Sequence, residues 1–147
     1  MKIIIMLVIL LGILGADEYK AIFDCSSKDS AFIASRMSLI ERTITMIEKR
    51  GDTVKFALTI HGGCTKMTTA NLNEILEDAQ MQAIQRAKES ITRLSKKQGV
   101  EIVVCAMSLN AATIDEDDIL PFIRISENSF IDTIHYQNKG YALMTFK

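Results

Sequence analysis

The chain has 147 residues, of which 48% are hydrophobic and 24% are charged, and it contains one proline. This length is typical of a single domain, and the composition excludes a disordered tail, a collagen-like fibre and a disulfide-dense mini-protein. Lys and Arg number 17 against 18 Asp and Glu, so the net charge is −1. Because nucleic-acid-binding proteins are usually markedly basic, we expect no nucleic-acid partner.

The N-terminal segment has the features of a secretory signal peptide. Lys2 is followed by an apolar run that ends before Asp17. This run is shorter than the roughly 20 residues of a membrane-spanning helix, and small residues precede its polar end. We predict a signal peptide over residues 1–16 and a mature domain over residues 17–147. The mature domain is expected to be exported to the periplasm and to have no membrane contact once the leader is removed. An uncleaved anchor or a buried first strand is the alternative interpretation.

The mature part begins with alternating strand and helix patterns. A strand is predicted over residues 19–24, and apolar residues from Ile33 to Ile47 then recur at spacings of three and four, which predicts an amphipathic helix. A second strand is predicted over residues 54–60 and ends in the sequence His-Gly-Gly-Cys. Further on, Asn71 and Glu74 have the spacing of a capping box at a helix N-terminus.

The second half of the sequence continues this alternation. An apolar periodicity from Leu72 to Leu94 predicts a second long helix. The nearly continuous apolar run over residues 100–107 predicts a third strand that is buried on both faces, as in a parallel sheet. A fourth strand is predicted over residues 122–126, and a short helix ending at Gln137 precedes a fifth strand over residues 141–146.

Strands separated by helices predict an α/β fold with right-handed crossover connections. Gly51, Gly99 and Gly140 each stand where a predicted helix gives way to a strand, which is the usual position of a left-handed helix cap. No linker, repeat or low-complexity tract indicates a second domain. The sequence therefore predicts one three-layer α/β/α domain with a mostly parallel sheet of about five strands.

The three cysteines fall at the C-terminal ends of predicted strands. Cys25 follows the first strand, Cys64 follows the second, and Cys105 is near the end of the third. Parallel sheets bind ligands at this edge, so these thiols and His61 are expected at one rim of the domain. For Cys105, which is flanked by apolar residues, the alternative is a buried packing role. For Cys25 and Cys64, which lie in polar turns, the alternatives are surface thiols or one disulfide.

The same segments do not favour a metal or a cofactor. His61 and Cys64 could supply two metal ligands, but the sequence has no Cys-x-x-Cys or paired-histidine motif. The His-Gly-Gly sequence matches neither a phosphate-binding loop nor a dinucleotide fingerprint, so a plain turn is predicted there, with anion binding as the alternative. No Ser-His-Asp order and no carboxylate pair indicates a catalytic site. We predict that the protein has neither metal nor cofactor.

The sequence around Cys105, Gly-Val-Glu-Ile-Val-Val-Cys-Ala-Met-Ser-Leu, resembles the DsrE/DsrF/TusD family of small α/β proteins of sulfur oxidation and sulfur relay. The resemblance spans residues 19–147. The segments that carry it are residues 54–63, 99–109, 114–118 and 138–142. In sulfur-carrying members a cysteine at the end of the third strand accepts a sulfane sulfur as a persulfide, and here that position is Cys105. The resemblance also implies a parallel-sheet α/β fold and homo-oligomers, often trimers or hexamers.

From these observations we expect an exported persulfide carrier or sulfur-transfer protein that uses Cys105, with a sulfur donor or acceptor protein as its partner. It would be a sulfurtransferase or carrier rather than a turnover enzyme. A protonated His61 beside Cys105 would favour the reactive thiolate, and Cys64 and Cys25 are further supporting candidates from their place at the rim. One alternative is a non-catalytic small-ligand-binding or oligomeric assembly module of the same fold. Another is a thiol-redox protein that cycles a cysteine pair, which the absence of a Cys-x-x-Cys motif disfavours.

Overall fold

A computed structural model describes residues 15–72 and 76–146 of the chain. The predicted signal peptide over residues 1–16 lies outside the described residues except for its last two. Within the described ranges, none of the helices has the length and apolar character needed to cross a bilayer.

Within residues 15–72 and 76–146, five strands form one sheet in the order β4-β3-β2-β1-β5, and every neighbouring pair is parallel. This confirms the predicted parallel α/β architecture and all five predicted strands. The strands are β1 (Glu18–Cys25), β2 (Thr53–Ile60), β3 (Val100–Cys105), β4 (Arg124–Ser126) and β5 (Ala142–Phe146).

Helices cover both faces of the sheet, which gives the predicted three layers. Helices α1 and α2 pack against each other and bury the main core on one face, while α4 packs on β1 and β2 from the other face. The helices are α1 (Ser30–Glu48), α2 (Asp78–Leu94), α3 (Ala106–Ala111) and α4 (Ser129–Asn138), and short 3-10 helices occupy Gly62–Met67 and Glu116–Asp118.

Local sequence signals explain where these helices begin and end. The side chain of Asp29 accepts a hydrogen bond from the backbone N–H of Phe32 at 3.0 Å and caps α1, and Asn128 caps α4 in the same way. Gly99 has φ +78°, and a Cβ there would lie 2.1 Å from the carbonyl oxygen of Val54. Only glycine fits this connection between α2 and β3, in agreement with the predicted position of Gly99 between a helix and a strand.

Three boundaries differ from the predictions by two residues or more, and one of them is the start of β4, which is at Arg124 rather than at residue 122. Helix α2 begins at Asp78 rather than near Leu72, and the side chain of Asn71 donates a hydrogen bond to Asp118 at 2.7 Å instead of capping that helix; Glu74, its predicted capping-box partner, lies outside the described residues. Strand β3 ends at Cys105 rather than at residue 107, and α3 begins at Ala106 within the apolar run that predicts the strand. A short apolar run does not distinguish a strand from a helix, so periodicity could not place this boundary.

Because side chains alternate along a strand, the sheet divides its residues between two environments. Phe23 of β1 and Leu58 of β2 belong to the core beneath α1 and α2. Ile22 and Ala57 instead pack with Tyr136 of α4 on the opposite face. This alternation decides which residues meet at the C-terminal edge of the sheet.

Candidate functional site

His61 and Cys105 lie side by side at the C-terminal edge of the sheet. Ile60 of β2 is paired with Val104 of β3. His61 keeps the extended conformation, with φ −150° and ψ 179°, and its N–H donates to the carbonyl oxygen of Cys25 at 2.9 Å. One further step in the same register therefore places His61 next to Cys105, on strands about 4.8 Å apart.

Asp24 completes this group from β1. His61 Nε2–H donates a hydrogen bond to Asp24 Oδ1 at 2.7 Å, and the two side chains are 20% and 18% exposed. This hydrogen bond is the largest effect on His61 and raises its pKa, whereas burial lowers it and the negative charge of the Cys105 thiolate raises it again. The net pKa of His61 is raised, so the protonated imidazolium is favoured beside Cys105.

Cys105 is enclosed by polar groups from the first turns of two helices. It is 4% exposed, and burial raises the pKa of its thiol. The backbone N–H and hydroxyl groups of Ser108 in α3 and Ser129 in α4 act against burial, and the net pKa is lowered. Cys105 precedes α3 without forming a regular side-chain capping hydrogen bond. The lowered pKa therefore comes from polar surroundings rather than from one formed cap.

A hydrogen-bond network fixes α4 over this edge of the sheet. Ser126 Oγ donates to Asp132 Oδ2 at 2.5 Å, and Tyr136 OH donates to Glu101 Oε2 at 2.5 Å. These contacts join α4 to Ser126 of β4, the register partner of Cys105, and to Glu101 near the start of β3. They hold Ser129, at the start of α4, in place beside the sulfur. We call Asp24, His61, Cys105, Ser108 and Ser129 the Cys105 site.

Cys25 and Cys64 are joined by a disulfide, with a Cα–Cα distance of 5.9 Å, and Cys105 is free. Surface thiols and a disulfide were the alternatives for Cys25 and Cys64, and the structure contains the disulfide. Both cysteines are buried in the core beneath α1 and α2, whereas Cys105 faces α4. All three sulfurs therefore lie near the C-terminal edge of the sheet, as expected, but His61 and Cys105 are on one face and the disulfide is on the other.

The His-Gly-Gly-Cys segment connects the disulfide to His61. It enters the 3-10 helix Gly62–Met67, so the segment forms a turn, as predicted. A Cβ on Gly63 would lie 2.4 Å from the carbonyl oxygen of Ser27 and 2.7 Å from the Cα of Lys28. The absence of a side chain lets this turn pack directly on the loop before α1, where Cys64 reaches Cys25.

Asp24, Ser108 and Ser129 were not selected from the sequence. A signal for Asp24 existed, because it is a carboxylate at the end of the otherwise apolar sequence Ala-Ile-Phe in β1. Ser108 had no such signal, since no helix is predicted from the sequence directly after the third strand, where α3 lies. Across residues 15–72 and 76–146, no group of three or more His, Cys, Asp and Glu side chains is arranged to hold a metal ion.

Comparisons with known proteins agree with this architecture. Residues 20–146 match the model of the DsrE/DsrF-like family. The chain is 31% identical over 146 residues to an uncharacterized protein from Aquifex aeolicus (strain VF5), a match that covers 99% of this chain and 64% of that protein. The chain thus spans a little under two thirds of the length of this curated relative.

Two solved structures share the fold. The protein of unknown function MTH1491 from Methanobacterium thermoautotrophicum has a TM-score of 0.68 and 16% sequence identity, with 87% of this chain and 99% of that chain covered. The ychN protein from E. coli has a TM-score of 0.53 and 13% identity, with 90% and 100% covered. At these identities the likeness concerns the fold alone.

Proposed function

The chain belongs to the DsrE/DsrF-like family, and we propose that it carries sulfane sulfur as a persulfide on Cys105. The family is compatible with sulfur relay. The observation that carries the proposal is the free Cys105 at the end of β3, with polar groups that lower its pKa. The thiolate is the nucleophilic form of cysteine, so a lowered pKa favours reaction near neutral pH.

The proposed reaction exchanges one sulfur atom without net oxidation or reduction. The Cys105 thiolate attacks the outer sulfur of a persulfide donor R–S–SH, a new S–S bond forms, and R–S⁻ leaves as the donor S–S bond breaks. Transfer to an acceptor thiol is the reverse exchange. The protein is then a carrier rather than a turnover enzyme, and a donor or acceptor approaches over the part-exposed side chains of His61 and Asp24.

Sulfur loading tests this proposal directly. We expect non-reducing mass spectrometry to show one added sulfur atom on the peptide containing Cys105 after treatment with glutathione persulfide. A Cys105→Ser variant should gain none, and a Cys25→Ala/Cys64→Ala variant should load normally, because the disulfide lies on the other face of the sheet. Equal sulfur uptake by Cys105→Ser would contradict the assignment.

Export, to the periplasm, is part of the proposal. The Cys25–Cys64 disulfide supports it, because disulfides persist mainly in oxidising compartments. Expression of the whole sequence in a Gram-negative host, followed by fractionation and N-terminal sequencing, tests it. We expect a periplasmic product that begins at Asp17, and a cytoplasmic product that retains residues 1–16 would contradict it.

A homo-oligomer, trimeric or hexameric, is also proposed. Exposed apolar side chains support it, since Leu143 and Met144 lie on the edge strand β5 and Leu39 lies on the adjacent α1. Light scattering coupled to size-exclusion chromatography should give three or six times the mass of the chain. A monomer at micromolar concentration would contradict this part of the proposal.

The alternative function is a non-catalytic ligand-binding or assembly module. Two observations favour it, the 4% exposure of Cys105 and a largely apolar groove of about 440 Å³ between α1 and the β1–β5 edge. This alternative predicts that native Cys105 resists alkylation by iodoacetamide over hours. Rapid alkylation of the native protein would contradict it and would favour the carrier.

A further inference from the structure

We propose that His61 and Asp24 form a proton-transfer pair for Cys105, in which His61 holds and returns the proton and Asp24 positions the imidazole. The inference rests on the proposed sulfur-carrying function and names the groups that would make its chemistry work. Neither the sequence pattern nor the family match assigns a role to Asp24.

The pair follows from the register of three neighbouring strands. Asp24 of β1 is paired with Thr59 of β2, and His61 is two residues beyond Thr59 on the same face of the sheet. The next strand along, β3, places Cys105 beside His61, as its pairing of Val104 with Ile60 requires. Consecutive strands of a parallel sheet thus present a carboxylate, an imidazole and a thiol at one edge.

Asp24 fixes the tautomer and orientation of the ring. Because Nε2–H of His61 donates to Asp24 Oδ1 at 2.7 Å, Nδ1 is the ring nitrogen left to exchange a proton with the sulfur. Thr59 Oγ1 also lies 3.4 Å from Asp24 Oδ1 and donates to it, which holds the carboxylate in place. Among the described residues, the charged groups that act on His61 are Asp24 and Cys105.

The proton balance of the step is complete within this group. Cys105 Sγ–H gives its proton to His61 Nδ1, and the thiolate attacks the outer sulfur of the donor R–S–SH. The departing R–S⁻ then takes the proton from Nδ1 and leaves as R–SH. One S–S bond forms and one breaks, no electrons are gained or lost overall, and the imidazole returns to its neutral form.

Two reagents distinguish an effect on proton return to the leaving group from an effect on the accessibility of the Cys105 sulfur. Glutathione persulfide releases a thiolate that needs a proton, whereas iodoacetamide releases iodide, which needs none. In Asp24→Asn and in His61→Asn we expect persulfide loading of Cys105 to slow at least about 10-fold. The rate of alkylation at a pH where the thiol is fully ionised should stay within about twofold of the unmodified protein.

Two further measurements, the pH profile of loading and the rate of the double variant, distinguish proton transfer from a purely structural role of His61 and Asp24. The loading rate of the unmodified protein should rise as Cys105 ionises and fall again as His61 loses its proton, and the falling limb should be absent in His61→Asn. Asp24→Asn combined with His61→Asn should be no slower than His61→Asn alone, because Asp24 acts through the imidazole. His135→Asn, at the exposed second histidine, is the matched control.

Three other outcomes would overturn either the proton-transfer pair or the proposed function. If Asp24→Asn loads at the normal rate with a normal pH profile, the proton-transfer pair is wrong and the carrier function stands. If alkylation slows in parallel with loading, Asp24 only maintains the local structure and the pair is again wrong. If the unmodified protein gains no persulfide on Cys105, the proposed function itself fails.

Discussion

Removal of the Cys25–Cys64 disulfide should cost about 4 kcal/mol of the free energy of unfolding. The two cysteines are 39 residues apart in sequence. In the chain-entropy model, a cross-link over a loop of this length removes about 13 cal/mol/K from the unfolded ensemble, which is about 4 kcal/mol at 25 °C. For a chain of this size, this corresponds to a fall in Tm of about 8–16 °C.

Urea unfolding of a Cys25→Ala/Cys64→Ala variant, at fixed protein concentration, measures this loss. The m-value should increase as well, because the unfolded chain expands once the cross-link is absent. Alanine is preferred to serine, since both positions are buried in the apolar core and a hydroxyl would be left there.

Cys105→Ala is the matched control, because it removes a buried sulfur that forms no cross-link. We expect this control to lose far less stability than the double variant and to keep the m-value of the unmodified protein. A double variant that loses less than about 1 kcal/mol with an unchanged m-value would refute the reasoning, since the cross-link would then not restrict the unfolded chain.

Two further predictions concern the Cys105 site, and a third concerns the turn at Gly63. Ser129→Ala should raise the pKa of Cys105, measured from the pH dependence of iodoacetamide alkylation, because one hydroxyl that stabilises the thiolate is lost. The hydrogen bond to Asp24 raises the folded-state pKa of His61, so the stabilisation it gives should be fully present below about pH 6.5 and should decline as the pH rises through that raised pKa. The measurement is the difference in free energy of unfolding in urea between the unmodified protein and His61→Asn. Gly63→Ala should cost about 1–3 kcal/mol, measured in the same way, because its Cβ would lie 2.4 Å from a carbonyl oxygen.

Each of these has an outcome that contradicts it. An unchanged or lower pKa of Cys105 in Ser129→Ala would show that the hydroxyl does not act on the sulfur. A stability difference for His61→Asn that is constant with pH, or that grows as the pH rises, would contradict the ion pair with Asp24. For Gly63, Gly51→Ala is a control at a position where a Cβ meets no neighbouring atom within 4 Å but φ is +83°, so its cost reflects backbone conformation rather than a clash.

The local sequence was sufficient for the architecture because strands and helices have different periodicities. The apolar spacing of Ile33 to Ile47 and the β-rich run before His61 identified α1 and β2, and the glycines between helix and strand marked the crossovers. The same periodicity failed after Cys105, because α3 begins at Ala106 with no turn residue between it and the end of β3. It also placed the start of α2 too early, since apolar residues at helical spacing precede its first turn.

The amino-acid sequence by itself determined that this chain is a parallel α/β domain and that Cys105 and His61 stand at strand ends. Only the tertiary structure decided that Cys25 and Cys64 share a disulfide beneath α1 and α2, while Asp24 reaches His61 on the opposite face. The physical reason is that strand order, register and pleat join residues far apart in the chain. Periodicity describes only near neighbours, so it assigns a residue to an element but not to the partner across the sheet.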